Sequence, residues 1–318
     1  MEYTNKRIFL TEDGNGNVTE KQNHITYEGE SFFLKYLNPQ YKSSKGGNSS
    51  VFIFYDKNGD CDERIIKICN YYKPNRSTPD DIKRRYGRFI NEINVLEKFK
   101  EEKAKNIVTL YFNDVIPLDG KEFPFYVMEK GDTDLKEYLL SNPAIDNQEK
   151  VKLCLDIFNA IKELHNREIY HRDIKPDNIF LFSEGEEEER KYVWKIGDLG
   201  LIAERNKDYD DLGEKIGPFG WISPEVMNKY LTEKARIGFD CNIDDKSDIF
   251  QLGKLFWFIF QFNVPIGQIE QDDFICQIEH KDKIFQILQR MLQYSKPRRV
   301  ELTILDRQLI ELKTAFFI

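Results

Sequence analysis

Hydrophobic and polar positions divide this chain into two regimes. In the first, short apolar runs of strand length recur between turn residues. Residues 51–55 (Val-Phe-Ile-Phe-Tyr) and 64–68 (Arg-Ile-Ile-Lys-Ile) flank the turn sequence Asp-Lys-Asn-Gly-Asp, which predicts a hairpin. Residues 107–111 and 123–128 predict two further strands. Between these pairs, Phe89, Ile93, Leu96 and Phe99 keep helical spacing, and Asp80 or Asp81 is placed to cap that helix. From Asp132 onward the period changes to that of helices. Val151, Cys154, Phe158, Ile161 and Leu164 mark a helix of about 17 residues. Residues 247–262 are apolar nearly all round, as a helix buried at the centre of a domain must be. Two more helices are expected over 274–293 and 301–317. Two strand-like runs, 178–182 and 192–196, surround an acidic stretch at 184–190, which predicts a solvated hairpin tip.

The first 30 residues are polar and rich in turn formers. Asp13-Gly14-Asn15-Gly16-Asn17 lies between Ile8-Phe9-Leu10 and Val18, which predicts an extra hairpin or a loosely held arm. The expected fold class is therefore α+β. A small antiparallel sheet with one long helix comes first, over 31–129, and a larger, mainly helical part follows, over 130–318. No internal repeat is present.

Bulk composition narrows the function classes. With 318 residues, 40% hydrophobic and 32% charged, the chain has ample core for one large or two small domains. Its net charge of −8 and pI near 5.3 speak against sequence-independent nucleic-acid binding, which needs a basic face. The clusters Arg84-Arg85-Arg88 and Arg298-Arg299 are short. Five cysteines, with no CxxC pair, fit a reducing compartment. The N-terminus lacks the apolar stretch of a secretory signal. The longest apolar run, 255–260, is far too short to span a bilayer. The expectation is a cytoplasmic protein with no membrane partner; oligomeric state is not readable.

Residues 169–180, Ile-Tyr-His-Arg-Asp-Ile-Lys-Pro-Asp-Asn-Ile-Phe, place Asp173, Lys175 and Asn178 within six positions, between apolar ends. Twenty positions past Asn178 stands a second acidic unit, Gly197-Asp198-Leu199-Gly200. Phosphoryl transfer passes through a loose transition state, so positioning and charge neutralisation carry its catalysis. A carboxylate that orients a hydroxyl, an ammonium that neutralises charge, and hard oxygen ligands for magnesium are the groups this chemistry needs.

These residues resemble the signature of the eukaryotic-type protein kinases, of the serine/threonine type. The resemblance implies the family's two-lobed fold, ATP and Mg2+ as cofactors, and a protein as the other substrate. It implies catalytic roles for Asp173, Lys175 and Asn178, and metal ligation by Asn178 and Asp198. The family's usual Asp-Phe-Gly is here Asp198-Leu199-Gly200, which keeps the ligand. Lys67, mid-strand among isoleucines, matches the lysine that holds the α- and β-phosphates, and Glu92 matches the helix glutamate that pairs with it. Gly46, Gly47 and Val51 lie where the phosphate-cradling loop belongs. That loop departs from the family's G-x-G-x-x-G-x-V at Ser44 and Ser49. Residues 126–131 resemble the segment that links the lobes, where Met128, Glu129 and Gly131 border the adenine site. Asp134 is a candidate for the ribose hydroxyls and equally for a helix cap.

Residues 217–225, Gly-Pro-Phe-Gly-Trp-Ile-Ser-Pro-Glu, resemble the end of the family's activation segment, with Ser-Pro-Glu for Ala-Pro-Glu. Glu225 would then pair with an arginine near the C-terminus, Arg299, and Asp248 would brace the catalytic loop's backbone. Lys175 favours serine or threonine as acceptor, whereas Pro218 stands where serine/threonine members carry threonine. Residues 201–222 contain no Ser or Thr, and Tyr209 is their one hydroxyl. Arg172 is expected to pair with a carboxylate among Asp208, Asp210, Asp211 and Glu214, giving activity without serine/threonine phosphorylation there; autophosphorylation on Tyr209 is the alternative. Residues 228–246 are long enough to hold a family-specific insertion. A partner-binding pseudokinase, suggested by Ser44, Ser49 and Pro218, and a small-molecule kinase of the same fold are the alternative readings.

Overall fold

The computed structural model describes residues 1–38, 40, 42, 47–59, 61–185, 191–205, 210, 214–231 and 240–317. Two compact units emerge, one of residues 1–104 and 108–130, the other of 105–107 and 131–318.

The first unit is built on a six-stranded antiparallel sheet. A small ladder comes first in the chain, β1 (Glu2–Thr4) against β2 (Arg7–Phe9). The main sheet holds β3 (His24–Tyr27), β4 (Glu30–Tyr36), β5 (Ser49–Tyr55) and β6 (Arg64–Cys69). After helix α1 (Asp80–Glu101) come β7 (Leu110–Leu118) and β8 (Lys121–Glu129), and the sheet order is β3-β4-β5-β6-β8-β7. One face alternates Leu34, Phe52, Phe54, Ile66, Ile68, Phe123, Phe125 and Val127 into a shared apolar core, the period-2 burial of a half-covered sheet.

Three local expectations are corrected here. The sequence sets residues 1–30 apart as an extension or arm, yet β3 is the edge strand of the main sheet, and Ile8, Leu10 and Ile25 lie in its core. The Asp13–Asn17 turn does close, with Asp13 accepting from the Gly16 amide at 3.0 Å, but it pairs only Glu12 with Val18. Helix α1 is capped by neither Asp80 nor Asp81: Pro79 stands at its N-cap, and the two aspartates occupy the first turn, where negative charge favours the helix dipole. The strand expected over 107–111 begins only at Leu110, because Ile107 is drawn into a parallel bridge with Ile196.

The second unit opens with β9 (Thr133–Asp134), α2 (Leu135–Ser141) and α3 (Asn147–His165). Next come β10 (Ile169–Tyr170), β11 (Ile179–Glu184), β12 (Lys191–Ile196) and β13 (Ala203–Glu204). Helices α4 (Pro224–Leu231), α5 (Asp245–Gln261), α6 (Lys281–Met291) and α7 (Leu302–Phe317) complete it. Strands β11 and β12 form the hairpin expected from the sequence, while residues 186–190 of its acidic tip lie outside the described residues. Helix α5 is buried along most of its length. At Gly253 a Cβ would stand 2.9 Å from Met291 Cβ, so glycine lets α6 approach α5 closely.

The helix expected over 274–293 is shorter than predicted. Phe274 is fully buried beside the rings of Trp257, Phe260 and Phe285. His280, at φ 54°, then precedes the first turn of α6. Aromatic packing, rather than helical period, explains the apolar character of Phe274.

Candidate active site

In the first unit, antiparallel pairing of β5, β6 and β8 sets Val51 and Tyr126 beside Lys67. Helix α1 carries Glu92 on its buried face. The Lys67 ammonium donates to Glu92 Oε1 at 2.8 Å, and the Tyr126 hydroxyl donates to the same oxygen at 2.9 Å. Lys67 and Glu92 are both buried, with the Tyr126 ring 5.9 Å from the ammonium. A charge pair taken this far from water holds only with hydrogen bonds around it; Tyr126 supplies one and was not signalled by the sequence motifs.

Gly47 is exposed, and its carbonyl accepts from the Asn70 side chain at 3.3 Å; Gly46 and Ser44 lie outside the described residues. Met128 and Glu129 end β8. The Glu129 carboxylate accepts from the Thr109 amide at 2.6 Å, which secures that strand end.

In the second unit, a Cβ at Gly131 would lie 3.0 Å from Phe180 Cβ and 3.2 Å from the Leu181 carbonyl, so this position tolerates only glycine without movement. Asp134 is the N-cap of α2, its carboxylate accepting from the Glu137 amide at 2.8 Å. The capping reading of Asp134 is thus realised.

Asp173, Lys175 and Asn178 converge in the loop between β10 and β11. Asp173 Oδ2 accepts from Lys175 Nζ at 2.8 Å and from Asn178 Nδ2 at 3.0 Å. Asn178 Nδ2 also donates to the Asp173 carbonyl at 2.8 Å. The other carboxylate oxygen, Asp173 Oδ1, is buried and has no partner among the described residues. An acceptor left open in a buried site is unusual and is what a hydroxyl donor would complete. Burial raises the Asp173 carboxyl above its ordinary 3.8; the Lys175 charge opposes this, and the Asp198 charge adds to it. Asp198 is therefore electrostatically close to Asp173. It is exposed and left-handed at φ 52°.

The loop is anchored from below by side chains far away in sequence. Asp248, fully buried at the start of α5, accepts from the His171 amide through Oδ2 and from the Arg172 amide through Oδ1, both at 2.7 Å. His165 Nε2 donates to the same carboxylate at 2.9 Å. One turn later Gln251 accepts from the Ile174 amide at 3.1 Å and donates to the Arg172 carbonyl at 3.2 Å. These bonds hold Arg172 in a left-handed conformation, φ 70°, that a non-glycine residue adopts only where its surroundings impose it. His171 bridges onward: it accepts the Asp173 amide at Nδ1 and donates from Nε2 to the Gly197 carbonyl. That second bond ties the Asp173 loop to the residue preceding Asp198.

Arg172 reaches Asp210 through its guanidinium, and Lys229 reaches the same carboxylate at 2.7 Å. Burial would raise the Asp210 carboxyl, but Arg172 and Lys229 together hold it below its ordinary 3.8. The expected pairing of Arg172 falls on Asp210; Asp208, Tyr209 and Asp211 lie outside the described residues, as do residues 232–239 of the proposed insertion. Glu225 and Arg299 form the expected buried bidentate pair, at 2.8 and 3.2 Å. Gln251, His165 and Lys229 were missed because no short-range spacing marks them.

The donor set suits a hard divalent cation. Asn178 commits its amide nitrogen to Asp173, so its amide oxygen could serve as a ligand, and the carboxylate of Asp198, an exposed residue, could serve as another. Magnesium takes one or two such protein oxygens and completes its shell with water and phosphate.

The sequence pattern of the protein kinase domain matches residues 44–313. The serine/threonine-protein kinase cds1 of Schizosaccharomyces pombe is 27% identical over 207 residues, which span 65% of this chain and 40% of that protein. The dual specificity protein kinase TTK of Mus musculus is 22% identical over 226 residues, 70% of this chain and 24% of that protein. The matched region thus spans less than half of either relative.

Proposed function

The chain belongs to the protein kinase domain family, and we propose that it transfers the γ-phosphoryl group of ATP, with magnesium, to serine or threonine hydroxyls of protein substrates in the cytoplasm. The observation that carries this reading is the open, buried Oδ1 of Asp173, beside an Oδ2 already held by Lys175 and Asn178. An acceptor hydroxyl donating to Oδ1 would be aimed by a carboxylate whose other oxygen cannot swing away. Lys175 lies within reach to offset negative charge that grows on the transferred group.

Bound magnesium would neutralise phosphate charge and orient the phosphoryl group. Asn178 and Asp198 are the residues that would hold it. Lys67, oriented by Glu92 and Tyr126, would contact the α- and β-phosphates, while Gly46, Gly47 and Val51 would lie along the nucleotide. Met128, Glu129 and Gly131 would border the adenine. Asp134 is committed to its helix cap and could meet a ribose hydroxyl only through its remaining acceptor capacity. Serine or threonine as acceptor is supported by Lys175 and by the likeness to cds1; the likeness to TTK, a dual specificity kinase, leaves tyrosine as the outcome to test against.

The test is transfer from labelled ATP, in the presence of magnesium, to generic protein substrates, with phosphoamino-acid analysis of the product. Wild-type protein should label serine and threonine, and Asp173→Asn should lower the rate about 10²–10⁴-fold. Nucleotide binding with no transfer would instead favour a scaffold, and transfer only to small metabolites would favour a small-molecule kinase.

A further inference from the structure

Helix α5 carries one buried cation that none of the roles above accounts for. Lys254 is buried, 7% exposed, on a helix whose neighbouring positions are apolar. Its ammonium donates to the Gly220 carbonyl at 2.6 Å and lies 5.4 Å from the Phe250 ring. No carboxylate reaches it among the described residues, and two of its three N–H groups find no acceptor there. Burial pushes the amine down to about 8. Burying an ammonium without a counter-ion opposes folding, and an apolar side chain of the same length would be better tolerated. Lys254 thus lowers the stability of the fold at this position, and the one hydrogen bond its ammonium gains among the described residues is with the strap 217–222.

At its other end that strap passes close to the Asp173 loop. Gly217, at φ 80°, sits so close that a Cβ would lie 3.2 Å from the Arg172 carbonyl and 3.7 Å from Asp173 Oδ1. Residues 218–221 form a turn, the Trp221 amide donating to the Pro218 carbonyl at 3.2 Å. It presents Phe219, 53% exposed, with Lys215 Nζ 4.4 Å from the ring. A polypeptide whose hydroxyl reached Asp173 Oδ1 would run along this strap.

We propose that Lys254 is a positioning residue for the protein substrate: by holding the Gly220 carbonyl it fixes the strap against which the acceptor polypeptide lies. This inference rests on the proposed phosphoryl transfer to protein. It assigns Lys254 no contact with ATP or with the reacting atoms, so its effect should fall on one substrate alone.

Lys254→Met, which removes the charge and keeps the length, is the test. The KM for a generic protein substrate should rise about tenfold, the loss expected for one charge-assisted anchoring bond, while the KM for ATP stays at the wild-type value. The thermal midpoint should hold or rise, because the uncompensated charge is gone. Hydrogen exchange at residues 217–222 should quicken. Lys254→Gln, which keeps an N–H donor, should recover part of the lost affinity. Unchanged KM for protein in an active Lys254→Met enzyme would overturn the inference and leave the proposed function standing. So would a lowered midpoint with both KM values altered together, the mark of a purely structural role. A wild-type protein that phosphorylates no protein at all would overturn the proposed function itself, and this inference with it.

Discussion

Arg172 and Asp210 are 38 positions apart in the chain, yet their side chains form an ion pair buried in the second unit. Lys229 closes the same carboxylate from another side, at 2.7 Å. A fixed carboxylate thus occupies the place where Arg172, beside the candidate catalytic residue Asp173, could otherwise dock an added phosphate. Because the Asp210 pKa is lower in the folded state than its ordinary 3.8, the stability it contributes is present above that value. It is lost only as pH falls through the lower folded value.

The first prediction follows from that pair. Treatment with a serine/threonine-specific protein phosphatase should leave kcat unchanged, since residues 201–222 carry no serine or threonine. Asp210→Ala should lower kcat about ten- to a hundredfold, because it strands two cations next to the catalytic loop. Steady-state rates before and after phosphatase, with mass measurement of the intact protein, check both. A large phosphatase-dependent loss traced to a modified residue of this segment contradicts the idea.

Lys175 lowers the pKa of a carboxyl that burial and Asp198 both raise. In the proposed transfer Asp173 takes up the hydroxyl proton as an ionised carboxylate, so the acid limb of the kcat/KM profile should lie above 3.8. In Lys175→Met burial and the Asp198 charge push upward against only the weaker His171 influence, and the limb should shift to higher pH while the plateau rate falls. An acid limb that stays fixed, or moves down, shows that some other group sets it.

Glu225 and Arg299 are a buried pair in which each charge is the other's main compensation. Burial alone would raise the Glu225 carboxyl; the hydrogen bond and charge of Arg299 hold it below its ordinary 4.5. Glu225→Gln leaves the guanidinium buried opposite a neutral amide and should destabilise the protein by about 3–5 kcal/mol. Denaturant unfolding at neutral pH measures it. Because the folded pKa is depressed, the difference between variant and wild type should shrink only as pH falls below 4.5.

Ser223 lies next to that pair and behaves in the opposite way. It is fully buried, and its hydroxyl has no partner among the described residues. Ser223→Ala should therefore be neutral or stabilising by up to about 1 kcal/mol. A clear destabilisation in the same unfolding measurement would reveal a hydrogen bond to this hydroxyl in solution.

What could be read from the sequence was what local spacing determines. Asp173, Lys175 and Asn178 converge because they share one loop, and an Asp-x4-Asn step within such a loop brings both side chains to one side. The strands around Lys67 were legible because alternating runs and a turn flank it. The supports of the site were not. Asp248 meets Arg172 across 76 positions, Lys229 meets Asp210 across 19, and Lys254 meets Gly220 across 34. Each depends on where α4 or α5 packs, which no short window encodes. Phe274 misled in the same way: its apolarity reflects three aromatic neighbours from other parts of the second unit, and a periodicity argument counted it as one more helical turn.

The family pattern begins at residue 44, but the six-stranded sheet begins at His24 and draws Ile8 and Leu10 into its core. Homology and foldability therefore mark different boundaries on this chain. A recombinant fragment cut at residue 44 would delete β3 and β4, uncover the ladder groups of β5, and open the cavity left by Leu34 and Phe32. Such an edge recruits other chains, so that fragment should precipitate on expression, whereas one beginning at Met1 should remain dispersed.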